Sequence, residues 1–136
     1  MITFPRRERP NVERQFRRVL LVDDDPMVRA LVRLVLEGDG HAVVEAADAS
    51  QAIEQFRSAD GIGLLITDVV MPGMNGHALA ETLRAAHPAL QVLYISGHVA
   101  DATLRALIAE GAAEFLAKPF SPEQLARKVR ALLDSP

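Results

Sequence analysis

Five short apolar runs, separated by segments with helical spacing, dominate the sequence from residue 19 onward. The runs are Val19–Val22, Ala42–Val44, Leu64–Ile66, Val92–Ile95 and Phe115–Ala117. Between them, apolar residues recur at three- and four-residue steps, as they do in amphipathic helices. This alternation predicts an α/β fold with a parallel sheet covered by helices on both faces. Because crossovers are right-handed, the simplest arrangement is a doubly wound five-stranded sheet of flavodoxin-like (βα)5 type, with strand order 2-1-3-4-5.

Capping residues mark where several of the predicted helices begin. Asp25 offers an N-cap side chain, and Pro26 follows at the first helical position, where its missing N–H costs nothing. The segment Ser121-Pro122-Glu-Gln124 repeats this pattern and adds the spacing of a capping box. The helices therefore start directly after the strand ends, which places the strand-end residues in short loops.

Charge divides the chain into two unequal parts. Residues 1–18 contain six Arg and two Glu and carry +4, whereas residues 19–136 contain 9 basic and 16 acidic side chains and carry −7. We predict a flexible basic arm over 1–18 and one domain over 19–136, a usual domain size. The acidic domain argues against direct nucleic-acid binding by residues 19–136. For the arm, a tether to nucleic acid or membrane and a simple linker both remain open.

Targeting signals and cysteine chemistry are missing from the sequence. No apolar run approaches the roughly 20 residues that a membrane-spanning helix needs, so no membrane span is expected. The N-terminus lacks the apolar centre of a signal peptide, and the 136 residues contain no cysteine. Together these features favour a cytoplasmic location and exclude thiolate metal sites and cysteine nucleophiles.

Acidic, hydroxyl and amine side chains follow four of the five predicted strands. Strand 1 leads into Asp23 and Asp24, strand 3 into Asp68, strand 4 ends at Ser96, and strand 5 ends at Lys118. The carboxyl ends of parallel strands meet at one edge of the sheet, where doubly wound folds bind their ligands. We therefore expect these five side chains to lie close together.

Carboxylates that lie close together need a cation to offset their repulsion, so this cluster is expected to bind one. Oxygen-only ligands favour a hard divalent ion, so we predict Mg²⁺, for which Mn²⁺ would substitute. Lys118 could pair with a phosphate oxygen, and Ser96 could donate a hydrogen bond to another. A carboxylate in such surroundings can attack phosphorus and form an aspartyl phosphate. Asp68, after the central strand, is the best candidate for the nucleophile.

Four segments of the chain resemble the signature regions of the receiver domain of bacterial response regulators. They are VLLVDDDP, LLITDVVMPGMNG, VLYISGH and EFLAKPF, and the resemblance covers about residues 19–133. It implies a chemotaxis-regulator-like domain of two-component systems, with Asp68 as the phosphoacceptor. The sequence Ser96-Gly97-His98 is similar to receivers attached to hybrid histidine kinases.

The same resemblance implies the metal ligands. Asp24 and Asp68 would bind Mg²⁺ directly, the backbone carbonyl of Val70 would complete the protein's share, and Asp23 would act through a water. The valine side chain at position 70 offers no polar group to a hydrolytic water, so we expect slow or partner-dependent dephosphorylation. Gly73 and Gly76 are expected to let the loop after Asp68 turn sharply, because glycine tolerates positive φ.

The remaining implied roles concern the phosphoryl group and the switch. Ser96 and Lys118 would bind the phosphoryl group, Phe115 would be the aromatic switch residue, and the bond before Pro119 would be cis. The donor would be a phosphohistidine of a sensor histidine kinase or histidine phosphotransferase. Phosphorylation would change the surface of helix 4, strand 5 and helix 5, which a downstream protein target would read. The domain would catalyse only its own phosphorylation and slow dephosphorylation.

Three other functions remain as alternatives at this stage. A magnesium-dependent phosphatase with an aspartyl nucleophile, of the haloacid dehalogenase kind, would need an acid two residues after Asp68, where Val70 stands. A flavin or nucleotide binder would need a phosphate-binding loop after strand 1, where three aspartates stand instead. A receiver-like module that binds proteins without phosphorylation would not need Lys118, Ser96 and the acidic pair.

Overall fold

The computed structural model of the protein describes residues 18–71, 73, 75–97 and 102–134. Five strands alternate with five helices in this part of the chain. The strands are β1 Arg18–Val22, β2 Val43–Ala46, β3 Ile62–Asp68, β4 Gln91–Ser96 and β5 Glu114–Ala117. The helices are α1 Pro26–Gly38, α2 Ala49–Ser58, α3 Gly76–Ala86, α4 Ala102–Ala109 and α5 Pro122–Leu133.

All strand pairs in the sheet are parallel, and the strand order is β2-β1-β3-β4-β5. The predicted fold class and order are therefore confirmed. β3 lies at the centre, and Thr67 pairs with Val22 on one side and with Tyr94 on the other. This register brings the carboxyl ends of β1, β3 and β4 level with one another.

Two apolar cores cover the two faces of the sheet. The first core holds Leu20, Leu65 and Tyr94 from the strands and lies under α2, α3 and α4. The second holds Leu21 and Ile66 and lies under α1 and α5, whose buried residues are Val32, Leu36, Leu125, Val129 and Leu132. Because alternate strand residues face opposite cores, the strand positions read as continuous apolar runs.

The predicted caps form as the sequence indicates. Asp25 caps α1, its Oδ1 accepting a hydrogen bond from the Met27 N–H at 2.9 Å, and Pro26 is the first helical residue. Ser121 and Gln124 make the full capping box of α5, with bonds of 2.8 and 3.1 Å. These caps fix where the chain leaves the sheet edge.

Element boundaries differ slightly from the sequence expectation. β1 begins at Arg18, which is held by a hydrogen bond from its N–H to the Gly61 carbonyl at 3.3 Å. One residue of the predicted arm thus belongs to the sheet, and the rest of the arm lies outside the described residues, as does His98. Among the helices of the described ranges, none has the length and apolar character to cross a membrane.

Candidate functional site

Three aspartates meet at the carboxyl edge of the sheet. Asp23 and Asp24 follow β1, Asp68 ends β3, and each offers a carboxylate oxygen within 4.8 Å of the others. Asp23 is fully buried, Asp68 is half-buried, and Asp24 is exposed. The structure therefore brings together the acids that the sequence predicted, and graded exposure leaves one side of the cluster open to solvent.

Lys118 lies between two of these carboxylates. Its Nζ donates to Asp23 Oδ2 at 3.0 Å and to Asp68 Oδ2 at 3.2 Å. Burial lowers the pKa of Lys118, but the hydrogen bond to Asp23 and the charges of Asp23 and Asp68 outweigh it and raise the pKa above its usual value. The lysine therefore remains a cation at neutral pH.

The buried carboxylate of Asp23 is only partly compensated. Burial raises its pKa above the usual 3.8, although the Asp25 N–H at 2.9 Å and Lys118 both oppose the rise, and the charge of Asp68 adds to it. Lys118 is thus shared by Asp23 and Asp68, and it does not pair with Asp24. Such a cluster favours an additional cation.

Ser96 and the cis peptide lie beside the acids on the neighbouring strands. Ser96 is the last residue of β4 and is buried, and its carbonyl accepts a hydrogen bond from the Lys118 N–H at 3.0 Å. The Lys118–Pro119 bond is cis, as the resemblance implies. Ser96 and Lys118 are therefore adjacent at the sheet edge, on the β4 and β5 side of Asp68.

Phe115 is half-buried and packs against the first core, on the same face as Tyr94. The two residues are direct partners in the β4–β5 register, and Ser96 lies two residues beyond Tyr94 on the same strand. Side chains at this spacing share a face of the sheet. The ring of Phe115 therefore points to the face from which the Ser96 side chain emerges.

The loop after Asp68 is shaped by two glycines, but for different reasons. Gly73 adopts φ +85°, as predicted, whereas Gly76 has no positive φ and opens α3. A Cβ on Gly76 would lie 2.2 Å from the Asp68 carbonyl oxygen, and its N–H donates to the Val69 carbonyl at 2.7 Å. The expectation for Gly76 was thus right about the residue but wrong about the cause, which is close approach of two backbones.

Val70 leaves the rim of the site apolar. Val70 is 59% exposed, and its N–H donates to Asp68 Oδ1 at 3.2 Å. This bond orients one carboxylate oxygen of Asp68, while Lys118 holds the other. Both oxygens of the predicted nucleophile are therefore fixed by donors.

Sequence reasoning did not find a group of charged residues on the β2 side. Arg29 of α1 donates from Nη1 to the Asp23 carbonyl at 2.7 Å and from Nε to Glu45 at 3.1 Å. Glu45 lies on the edge strand β2 and is partly exposed. The sequence could have indicated this pairing, because the carboxylate of Glu45 had no other assigned role and the neighbouring helix α1 carries arginines.

The donor set fits a hard divalent cation. It consists of carboxylate oxygens at mutual distances within 4.8 Å, one of them on a fully buried side chain whose pKa is raised by burial. Oxygen ligands with free coordination positions suit Mg²⁺ better than softer metals. The site can thus hold an ion that is also open to phosphate oxygens.

Comparison with known proteins gives the family. A family model described as response regulator receiver domain matches residues 19–130. The chain is 39% identical over 117 residues to the sensor kinase CckA of Brucella abortus (strain 2308), covering 85% of this chain and 12% of that protein. It is 32% identical to the DNA-binding response regulator MtrA of Mycolicibacterium smegmatis, covering 85% of this chain and 50% of that one. The crystal structure of the receiver domain from hybrid histidine kinase CckA superposes with a TM-score of 0.70 at 35% identity, covering 85% of this chain and 98% of that one.

The chain belongs to the family of response regulator receiver domains. It is a signalling module of two-component phosphorelay systems, and the relatives named above are bacterial. It spans half or less of the length of the two curated relatives, which contain further regions.

Proposed function

We propose that Asp68 is the phosphoacceptor and takes a phosphoryl group from a phosphohistidine of a sensor histidine kinase or histidine phosphotransferase. The observation that carries this proposal is the double contact of Lys118 with Asp23 and Asp68 at 3.0 and 3.2 Å. A cation held between a buried acid and the proposed nucleophile is available to an incoming phosphate oxygen. The carboxylate of Asp68 is then released for attack.

The reaction is a single displacement at phosphorus. A P–O bond forms to a carboxylate oxygen of Asp68, and the P–N bond of the donor breaks, with the electron pair remaining on the imidazole nitrogen. No oxidant or further reactant is needed. Since little covalent work falls to the protein, catalysis rests on positioning and on neutralising the phosphoryl oxygens. Lys118 supplies one positive charge, and the Ser96 hydroxyl supplies a hydrogen bond.

The metal ligands we propose are Asp24, Asp68 and the carbonyl of Val70, with Asp23 acting through a water. Mg²⁺ is the expected ion, and Mn²⁺ would replace it. When bound, the ion would neutralise charge on the transferring group. The fully buried Asp23 anchors Lys118, whereas the exposed Asp24 is accessible to the ion from solvent.

Phosphorylation is proposed to change the surface formed by α4, β5 and α5, which a downstream protein reads. Ser96 would move toward the phosphoryl group, and Phe115 would follow it inward. The shared face of Ser96, Tyr94 and Phe115 supports this coupling, because a shift of the Ser96 side chain would occur on the side of the sheet to which Phe115 packs. Two arrangements of one ring would then bias the surface between two states.

A groove beside Lys118 supports docking of the donor on α1. Val28, Leu31, Pro119 and Phe120 line it together with Lys118, and its volume is about 350 Å³. On α1, Leu31 is 44% exposed and Leu34 is 72% exposed. An exposed apolar stripe next to the site suits a helical histidine-bearing partner. We propose that the phosphodonor binds here.

The test uses a small acyl phosphate donor with Mg²⁺. The wild-type chain should gain the mass of one phosphoryl group, while Asp68→Asn should not, and chelation of the metal should abolish the gain. Asp48→Asn is the matched control, because asparagine caps α2 as well as aspartate does. An unmodified wild-type chain with Mg²⁺ present would contradict the proposal, and sustained turnover of a phosphate ester would favour the phosphatase instead.

A further inference from the structure

A charged network connects the edge strand β2 to the acidic loop, and the phosphoacceptor chemistry above does not use it. Arg29 is at its centre, with Nη1 bonded to the Asp23 carbonyl at 2.7 Å and Nε bonded to Glu45 Oε1 at 3.1 Å. The arginine side chain is only 19% exposed. The guanidinium therefore donates in two directions, to the acidic loop after β1 and to the edge strand β2.

Glu45 is itself held from the far side. Arg33, one turn further along α1, donates to Glu45 Oε2 at 2.7 Å and to Glu37 at 2.9 Å. The hydrogen bond from Arg33 and then that from Arg29 lower the pKa of Glu45, despite the opposing effect of burial. Two cations and two anions make the network neutral. Its effect on the acidic loop is therefore geometric rather than a change in net charge.

The bond from Arg29 falls on one particular peptide unit. The carbonyl of Asp23 and the N–H of Asp24 belong to the same rigid plane, so holding that carbonyl fixes the orientation in which the chain enters Asp24. The Asp23 carboxylate is held separately, by Lys118 and by the Asp25 N–H at 2.9 Å. Arg29 thus holds the loop through its backbone, so the carboxylate of Asp24 stays available to a metal ion.

We infer that Arg29, oriented by Glu45, is a positioning residue that holds the Asp23–Asp24 peptide and so presents Asp24 to the divalent cation. The inference rests on the proposed function, since it concerns the same site. It assigns the polar end of β2 a role, although this strand delivers no ligand. Outer residues that orient metal ligands commonly contribute about 10- to 100-fold to metal affinity.

The test compares Arg29→Met and Glu45→Ala with the control Arg84→Met. Methionine keeps much of the arginine's length but cannot donate. Arg84 also donates to a backbone carbonyl, that of Leu90 at 3.0 Å, but Leu90 precedes β4 and lies at the amino ends of the strands, away from the acidic loop. Mg²⁺ affinity is measured by calorimetry on the full chain, with thermal unfolding of the metal-free protein as the measure of stability. We expect the Mg²⁺ Kd to rise about tenfold in Arg29→Met and severalfold in Glu45→Ala, and to change less than twofold in Arg84→Met.

A purely structural role would give a different result. In that case, the Arg29 and Arg84 variants would lose unfolding temperature while both kept the wild-type Mg²⁺ affinity, and the inference would be overturned. A positioning role also predicts that acyl phosphate modification of Arg29→Met recovers to within about twofold of wild type at saturating Mg²⁺. Failure to recover would place Arg29 in the chemical step and contradict the inference.

A second measurement separates this inference from the proposed function. Amide hydrogen exchange at Asp24 and Asp25 in the metal-free protein should be faster in Arg29→Met than in Arg84→Met, because the loop loses its anchor. Equal exchange in the two variants would overturn the inference, whatever the metal does. Absence of Mg²⁺ binding and phosphorylation in the wild type would instead overturn the proposed function.

Discussion

At the scale of single residues, Asp23 has the most constrained environment in the site. Its carboxylate is fully buried, its pKa is raised by burial, and it shares Lys118 with Asp68. A group whose folded-state pKa lies above its unfolded value of 3.8 destabilises the fold when it is ionised. At neutral pH and without metal, the ionised Asp23 therefore lowers the stability of the fold.

We expect Asp23→Asn to raise the unfolding temperature of the metal-free protein at pH 7. The gain should be complete above the folded-state pKa of Asp23 and should vanish as pH falls below 3.8, where the wild-type side chain is protonated in both states. Calorimetric unfolding at several pH values measures it. A lower unfolding temperature at pH 7 would show that the pairing with Lys118 outweighs the burial of the charge.

The apolar rim at Val70 gives a second prediction for a single residue. Val70→Asn should speed loss of the phosphoryl group from Asp68 by about tenfold, because the amide could orient a hydrolytic water in a site that now offers none there. Val70 is 59% exposed, so the substitution should not disturb the fold. Loss of the phosphoryl mass over time is the measurement, with the equally sized apolar Val70→Leu as control, and equal rates would contradict the prediction.

The residues of the candidate site were easier to predict from the sequence than the residues that hold them in place. Asp23, Asp68 and Lys118 were predictable because strand ends collect at one edge in any parallel sheet of this order. The bond from Arg29 to the Asp23 carbonyl was not, because a backbone acceptor leaves no trace in residue types. Its partner Glu45 lies 16 residues away from Arg29, beyond the range of local patterns.

At the scale of elements, the start of α3 is packed against the backbone of Asp68, the proposed nucleophile. Gly76→Ala should cost about 3 kcal/mol and impair phosphorylation, since its Cβ would meet the Asp68 carbonyl oxygen at 2.2 Å. Gly38→Ala, at the end of α1, should instead gain about 0.5 kcal/mol, because nothing lies within 4 Å of its Cβ. Denaturant unfolding of both variants checks the difference, and similar free energies of unfolding would contradict it.

The elements themselves were largely readable from the sequence. Continuous apolar runs give the buried strands, and Asp25 and Ser121 mark helix starts that the structure confirms. What the pattern misses is where β3 begins, since Ile62 and Gly63 precede the run that was recognised at Leu64. A strand start depends on pairing with the neighbouring strand, here Arg18 with Ile62, and not on its own composition.

At the scale of the whole molecule, donor docking and phosphoryl chemistry can be separated by the donor used. Leu31→Glu should reduce phosphoryl transfer from a histidine phosphotransferase by tenfold or more. The reason is that loss of an apolar anchor at an interface commonly costs at least about 1.4 kcal/mol. Modification by a small acyl phosphate should stay unchanged. Ala85→Glu, which adds the same charge to an exposed position of α3, is the control. Equal transfer rates for both variants would place the donor elsewhere.

The two apolar cores give the domain a sidedness that matters for signalling. The groove between α1 and Phe120 lies on the face of the second core, whereas Ser96, Tyr94 and Phe115 belong to the face of the first. The sheet thus separates the proposed donor groove from Phe115, the proposed switch ring. A donor bound in the groove would lie on the side of α5, whereas the α4 and β5 part of the proposed output surface would stay uncovered. A third protein could therefore recognise the altered state at α4 and β5 before the donor departs. The domain would then work as an adaptor in a ternary complex as well as a shuttle between two successive partners.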